Sequence, residues 1–127
     1  MKDDRKKFLK KTNIQSSKLG RNKKILNESI NFINKIDNYD YSYLWTWLGV
    51  PIIQNPAEIL VNQEIIFKTK PDIIIETGIA RGGSLIFYAS ILSLLKKKFK
   101  VIGVDIDLRN HNRDSLNKSM YSKSIKI

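Results

Sequence analysis

Apolar positions along this chain form three short continuous runs, with a longer helical pattern between the first two. Ile73 to Thr77 is apolar on both faces, which is typical of a buried parallel strand. A second run spans Val101 to Asp105, and Ser124 to Ile127 begins a third. Ser84 to Leu95 has the length and apolar content of a crossover helix. The order predicts an α/β fold with a parallel sheet and right-handed crossovers.

Helices are also predicted before the first strand and after the second. Asn55 is a good N-cap and Glu58 stands at the capping-box position, so a helix begins there and ends before Pro71. Ile25 to Ile36 carries an incomplete apolar stripe that predicts a short helix. Asn112 to Lys118 is expected to form one or two helical turns.

Five aromatic residues occur at a spacing of two before the predicted capping box. They are Tyr39, Tyr41, Tyr43, Trp45 and Trp47. This alternation predicts extended chain with every ring on one side. The rings either pack on the core or line the mouth of a substrate site, and the pattern leaves both interpretations open.

Charge is concentrated at one end of the 127 residues, a length that suits one small domain. Residues 1–24 contain ten Lys or Arg against two Asp, a net of +8 out of +11. We interpret 1–24 as a solvated basic tail, disordered or loosely helical, and 25–127 as the domain. The alternative for the tail is an anionic partner such as nucleic acid or a lipid surface, and no specific nucleic-acid partner is expected. Cysteine is absent, so disulfides are excluded.

No segment of the sequence has the pattern of a membrane anchor or an export signal. The start carries charge without an apolar stretch behind it, unlike a secretory signal. Leu85 to Leu95 is the longest nearly apolar run and is too short for a transmembrane segment. A cytoplasmic location is expected.

The strongest candidate for chemistry is the glycine-rich loop between the first strand and its helix. Glycine lets the chain turn tightly, and the N–H groups at a helix start can face a ligand. Gly82-Gly83-Ser84 lacks the lysine of a phosphate-binding loop, and no G-x-G-x-x-G dinucleotide fingerprint is present. Instead, the acid Glu76 precedes a wider G-x-x-x-G pattern formed by Gly78 and Gly82. An acid that ends the next strand is well placed for two ribose hydroxyls.

This wider loop resembles the first motif of class I S-adenosylmethionine-dependent methyltransferases. The resemblance implies that Glu76 lies near the ammonium end of the cofactor, that Asp105 binds the ribose and that Ile106 lies beside the adenine. One acid suffices for a ribose, so the role of Asp107 stays open. The residues assigned to cofactor binding are Glu76, Gly78, Ala80, Gly82, Gly83, Ser84, Asp105 and Asp107.

Other interpretations of the same region compete with this one. Asp105-Ile106-Asp107 also matches the D-x-D pattern with which sugar-nucleotide glycosyltransferases hold a divalent metal. His111 is either a third ligand of such a site or a surface histidine. Three arginines, Arg81, Arg109 and Arg113, are either solvent-exposed or meet an anionic group of a substrate.

Two segments carry a resemblance to a named family. WLGVPIIQNPAEILVNQEIIFKTKPDIIIETGIARGGSLIFYAS and VIGVDIDLRNHNR resemble the cephalosporin hydroxylase and rhamnosyl O-methyltransferase family, over about residues 45–127. The resemblance implies the N-terminal half of a Rossmann-like class I methyltransferase sheet, preceded by helices. It implies S-adenosylmethionine as cofactor and an O-methyltransferase whose acceptor is a sugar or a related small molecule.

The same resemblance limits what these 127 residues are expected to do. Family members continue past the third strand, and their catalytic residues and divalent-metal (Mg²⁺) carboxylates lie in that later part. We therefore assign no catalytic residue and no metal ligand here, and we expect a truncated or split member that is inactive by itself. The alternative is a non-catalytic fragment that pairs with a complementing chain or with a second copy.

Overall fold

The computed structural model describes residues 3–95 and 98–127. Contacts divide the chain into two parts, one ending at Tyr39 and one beginning at Asp40. The helices are α1 (Arg5–Arg21), α2 (Lys23–Asp37), α3 (Pro56–Thr69), α4 (Gly83–Leu95) and α5 (Asn110–Lys118). The strands are β1 (Thr46–Trp47), β2 (Val50–Pro51), β3 (Ile73–Thr77), β4 (Lys100–Val104) and β5 (Ile125–Lys126).

The first part consists of α1 and α2. The sequence predicted that residues 1–24 are disordered or loosely helical, and Arg5–Arg21 is helical. Lysine, leucine, glutamine and arginine are good helix formers, which explains a helix without a buried residue. Asn22 caps α2 by accepting the N–H of Ile25 at 3.2 Å. The predicted domain boundary after residue 24 falls within this first part.

The second part contains the predicted parallel sheet, with the strand order β3-β4-β5. Ile75 pairs with Ile102, and Val101 pairs with Ile125. Helix α4 packs on this sheet and supplies most of the buried side chains. An α/β half-fold of the Rossmann-like type is therefore confirmed.

One expectation about β3 was wrong. Its continuous apolar run predicted burial on both faces, but Ile73 and Ile75 are 55% and 65% exposed. Val104 lies on the same face of the sheet and is 52% exposed. Alternate positions of β3 are less exposed, in keeping with one covered face and one open face of the sheet.

The aromatic segment does not form the single extended strand that its spacing predicted. Residues 41–43 form a 3₁₀ turn, and a tight hairpin joins β1 to β2 through Leu48 and Gly49, both with positive φ. The Trp47 ring packs edge-on against Phe87, and its Nε1 donates to Ser90 Oγ at 3.0 Å. Tyr39 and Tyr43 are exposed, so the rings do not share one side.

Helix α3 begins and ends where the sequence predicted. The N–H of Asn55 donates to Glu58 Oε2 at 2.8 Å, and Pro56 occupies the first helical position. The helix ends at Lys70, which has a left-handed conformation. Three residues, 70–72, connect α3 to β3.

Candidate cofactor site

The glycine-rich loop is a tight turn between β3 and α4. Three of its residues have positive φ: Gly78 (81°), Ala80 (48°) and Gly82 (87°). Glycine adopts this conformation freely, whereas Ala80 needs support from its surroundings. The loop N–H groups of Gly78 and Gly82 donate to the carbonyls of Val104 and Ile79, each at 2.8 Å.

Asp105 supplies part of the support that the loop needs. Its Oδ2 accepts the N–H groups of Ile79 at 2.6 Å and Ala80 at 3.3 Å, and its Oδ1 accepts the N–H of Asp107 at 3.0 Å. The bonds from Asp107 and Ile79 hold the pKa of Asp105 below its usual range. Asp105, at the end of β4, is therefore a charged carboxylate that holds the glycine-rich loop in place.

Asn112 provides a second support that the sequence analysis missed. This side chain on α5 is only 7% exposed, and its Nδ2 donates to the carbonyl of Ala80 at 2.8 Å. Leu116, one helical turn later, is also buried and lies against Gly82. The i, i+4 spacing of Asn112 and Leu116 was the available signal, because it places a polar residue on the packed face of α5.

Glu76 and Ser84 lie on the other side of the loop. Ser84 Oγ donates to Glu76 Oε2 at 2.7 Å. Burial raises the pKa of Glu76, and the Ser84 bond opposes part of that rise. Since the second carboxylate oxygen stays available, Glu76 can accept a further donor, and a cationic one would suit it best.

Two cavities meet at the loop. The larger, of about 370 Å³, is lined by Gly78, Ala80, Arg81, Asp105, Asp107, Arg109 and Asn112. The smaller, of about 60 Å³, has a mostly polar lining that includes Gln54, Glu76, Gly78, Gly83 and Ser84. Gly78, Ala80 and Arg81 line both. A Cβ at Gly78 would meet nothing within 4 Å, so the backbone there faces open space.

The structure thus brings together most of the residues that the sequence assigned to a cofactor. Gly82 lies in the same loop but packs on Leu116. Asp107 is exposed and reaches the larger cavity, whereas Ile106 is fully exposed. Gln54, like Asn112, was missed, because it is distant in sequence from the glycine-rich loop and lines the cavity only through tertiary contacts.

The other candidate ligands do not gather into a metal centre. Among residues 3–95 and 98–127, no three histidine or acidic side chains lie close enough together to hold a metal ion. His111 Nε2 instead lies 3.2 Å from an Arg81 guanidinium nitrogen. Arg113 is exposed. A helix with the length and hydrophobicity of a membrane span is not found in the part of the chain that the structure describes.

A sequence comparison decides the family. The family model for rhamnosyl O-methyltransferase/CmcI proteins matches residues 39–127. This range includes the glycine-rich loop, Glu76, Asp105 and the hairpin of β1 and β2. The chain belongs to this family. The match confirms the family resemblance read from the glycine-rich loop and its flanking segments.

Individual members of the family match over the same region. Rhamnosyl O-methyltransferase from Mycobacterium leprae (strain TN) is 32% identical over 71 residues, covering 54% of this chain and 31% of its own length. The protein of the same name from Mycobacterium tuberculosis (strain ATCC 25618 / H37Rv) is 32% identical over 60 residues, covering 47% and 24%. The chain therefore spans about a third or less of the curated relatives that it matches.

A solved structure described as cmcI-N160 SAH has the same fold. The superposition covers 65% of this chain and 40% of that one, with a TM-score of 0.51 and 21% sequence identity. This likeness supports the half-fold described above.

Proposed function

We propose that residues 40–127 are the S-adenosylmethionine-binding half of an O-methyltransferase. The observation that carries the proposal is the two-part cavity at the loop. One side presents Asp105 and Asp107, and the other presents Glu76 with a raised pKa. S-adenosylmethionine has ribose hydroxyls, which suit the two aspartates, and an amino-acid group with an ammonium, which suits Glu76. The family match and the SAH in the similar cmcI structure support the same cofactor.

The residues present fit the cofactor at each end. Asp105 keeps acceptor capacity beyond its three backbone bonds, and Asp107 offers a second carboxylate beside it for ribose hydroxyls. Glu76 would attract the ammonium of the methionine part through opposite charge. The bare backbone of Gly78 lets a ligand lie against the loop. The cofactor, when bound, supplies a methyl group on its sulfonium sulfur.

The acceptor in this proposal is a hydroxyl of a sugar or a related small molecule. The support is the name shared by the curated relatives, rhamnosyl O-methyltransferase. We assign no catalytic residue and no Mg²⁺ ligand among the described residues. A cytoplasmic location remains a prediction.

We also propose that the sheet binds a further polypeptide segment, in a partner chain or a second copy. The support is the sheet itself, because β3 pairs only with β4 among the described strands and leaves Ile73, Ile75 and Val104 open. An exposed apolar sheet face beside a free edge is a typical interaction surface. Light scattering that showed a stably folded monomer would count against such a partner.

The cofactor assignment is tested by calorimetry on the 127-residue chain. We expect S-adenosylhomocysteine and S-adenosylmethionine to bind one to one, and NAD⁺ to give no heat. UDP-glucose with Mn²⁺ is the probe for the D-x-D interpretation, and it should also give no heat. A folded chain, verified by circular dichroism, that bound neither S-adenosyl compound would refute the assignment.

A further inference from the structure

Gln54 carries an unexplained polar atom beside the loop. Its side-chain oxygen Oε1 is buried and has no hydrogen-bond partner in the described part of the chain. A buried acceptor without a donor is destabilising, and most native structures avoid it. Such an atom is typical of a place where a ligand or a water supplies the missing donor.

The position of Gln54 in the fold points to a ligand. It lines the small cavity together with Glu76 and Ser84, on the side away from the two aspartates. Burial raises the pKa of Tyr88, and a hydrogen bond from the Gln54 amide opposes part of that rise. The Gln54 side chain thus lies near Tyr88, and its Oε1 is the buried atom that has no partner among the described residues.

The local backbone holds Gln54 in place. Residues 51–54 cross the start of α4 so closely that a Cβ at Gly83 would lie 2.3 Å from the Pro51 carbonyl oxygen. Ile52 is fully buried, and the N–H of Gln54 donates to its carbonyl at 3.0 Å. The backbone next to Gln54 is therefore packed against the start of α4.

We propose that Gln54 is a cofactor-binding residue that accepts a hydrogen bond from the α-ammonium of the methionine moiety, next to Glu76. An ammonium donates three hydrogen bonds, and its positive charge would pair with the negative charge of the buried Glu76 carboxylate. The free oxygen of Glu76 and Oε1 of Gln54 supply two acceptors in one cavity. The inference rests on the proposed function and adds a specificity contact for the amino-acid end of the ligand.

The test compares two ligands that differ only in that end. S-adenosylhomocysteine has the amino-acid group, and 5′-methylthioadenosine shares its nucleoside and sulfur but lacks the group. Replacing Gln54 with methionine conserves its volume and removes the acceptor. We expect Gln54→Met to weaken S-adenosylhomocysteine binding roughly 10- to 100-fold at neutral pH, the size of a hydrogen bond to a charged group. Binding of 5′-methylthioadenosine should stay within the error of the measurement.

Two further variants separate binding from structure. Gln54→Glu keeps the shape and an acceptor, although it loses the amide N–H, so it should bind S-adenosylhomocysteine more tightly than Gln54→Met does. Gln15→Met, at an exposed glutamine of α1, is the matched control and should change neither ligand. Equal losses for both ligands, or no loss for either, would overturn the role of Gln54. If the unaltered chain binds neither ligand, the proposed function fails first, and this inference fails with it.

Discussion

At the scale of single residues, Asp105 shows how far the sequence could lead. Its place at the end of the second strand predicted an acid for a ribose. The structure adds that three backbone N–H groups already bind this carboxylate and lower its pKa. Asp105 therefore shapes the loop as well as facing the larger cavity. No pattern in the sequence indicates this, because the two bonds from the loop, donated by Ile79 and Ala80, join residues 25 or more positions apart.

Gly83 is a residue at which one methyl group should disturb the site. Its added Cβ would lie 2.3 Å from the Pro51 oxygen and 2.7 Å from the Pro51 carbonyl carbon, both backbone atoms that cannot turn aside. We expect Gly83→Ala to destabilise the second part of the chain by about 1–3 kcal/mol. It should also weaken binding of S-adenosylhomocysteine, because residues 51–54 must move. Thermal melts and calorimetry measure the two effects.

Gly20→Ala is the matched control for this change. Gly20 lies within α1, and an added Cβ would meet nothing within 4 Å. Alanine is favoured over glycine inside a helix by about 1 kcal/mol, so this variant should be neutral or slightly stabilising. Equal stability of the two variants would show that the crossing at Gly83 is looser than described.

The charge of Glu76 should make affinity and stability respond to pH in opposite directions. Burial raises the pKa of Glu76 in the folded chain. Its protonation on acidification removes the attraction for an ammonium, so the affinity for S-adenosylhomocysteine should fall as pH drops through this raised pKa. The folded state binds this proton more tightly than the unfolded state, so stability should rise over the same interval and be lost again as pH increases.

The variant Glu76→Gln tests whether the Glu76 carboxyl causes these two pH dependences. The variant removes the titrating carboxyl, so both the acid-side loss of affinity and the acid-side gain in stability should flatten. Asp105 titrates in a lower pH interval because its pKa is depressed, which keeps the two acids distinguishable. Calorimetry and thermal melts over a pH series provide the measurements. An affinity that stayed constant through mildly acidic pH would contradict the role given to Glu76.

At the scale of elements, the sequence predicted the helices and strands with clear boundary signals. The capping box at Asn55 and the stop at Pro71 fixed α3, and the apolar runs fixed β3 and β4. The aromatic segment was misread because alternation over nine residues also suits a turn followed by a short hairpin. Leu48 and Gly49 have positive φ values in the hairpin, and the neighbouring Trp47 packs against the distant Phe87, a contact that the aromatic spacing does not predict.

The capping box of α3 offers a prediction at this scale. Glu58→Ala removes the acceptor of the Asn55 N–H and should cost about 0.5–2 kcal/mol, a fall in Tm of several degrees. Glu64→Ala is the control on the same helix, since it removes only an exposed ion pair with Lys68, worth about 0.3–0.5 kcal/mol. Thermal melts that ranked the two variants in the opposite order would contradict the capping role.

At the scale of the whole molecule, the candidate site is assembled from three distant stretches. Residues 51–54, 76–84 and 105–112 meet at the loop, and only the last two carried a sequence signal. Gln54 and Asn112 could not be assigned in advance, because a single glutamine or asparagine gains its meaning from burial and partners. The open face of β3 was hidden for a related reason. An apolar run predicts burial, and the described residues supply a cover for one face only.

The central claim is that the glycine-rich loop and its flanking acids form the cofactor site. Amide hydrogen exchange with and without S-adenosylhomocysteine tests it most directly. We expect slower exchange in residues 76–84 and 105–112, with a smaller effect at 51–54 and no change in α1 or α2. Protection confined to other segments, or none at a saturating ligand concentration, would contradict the account.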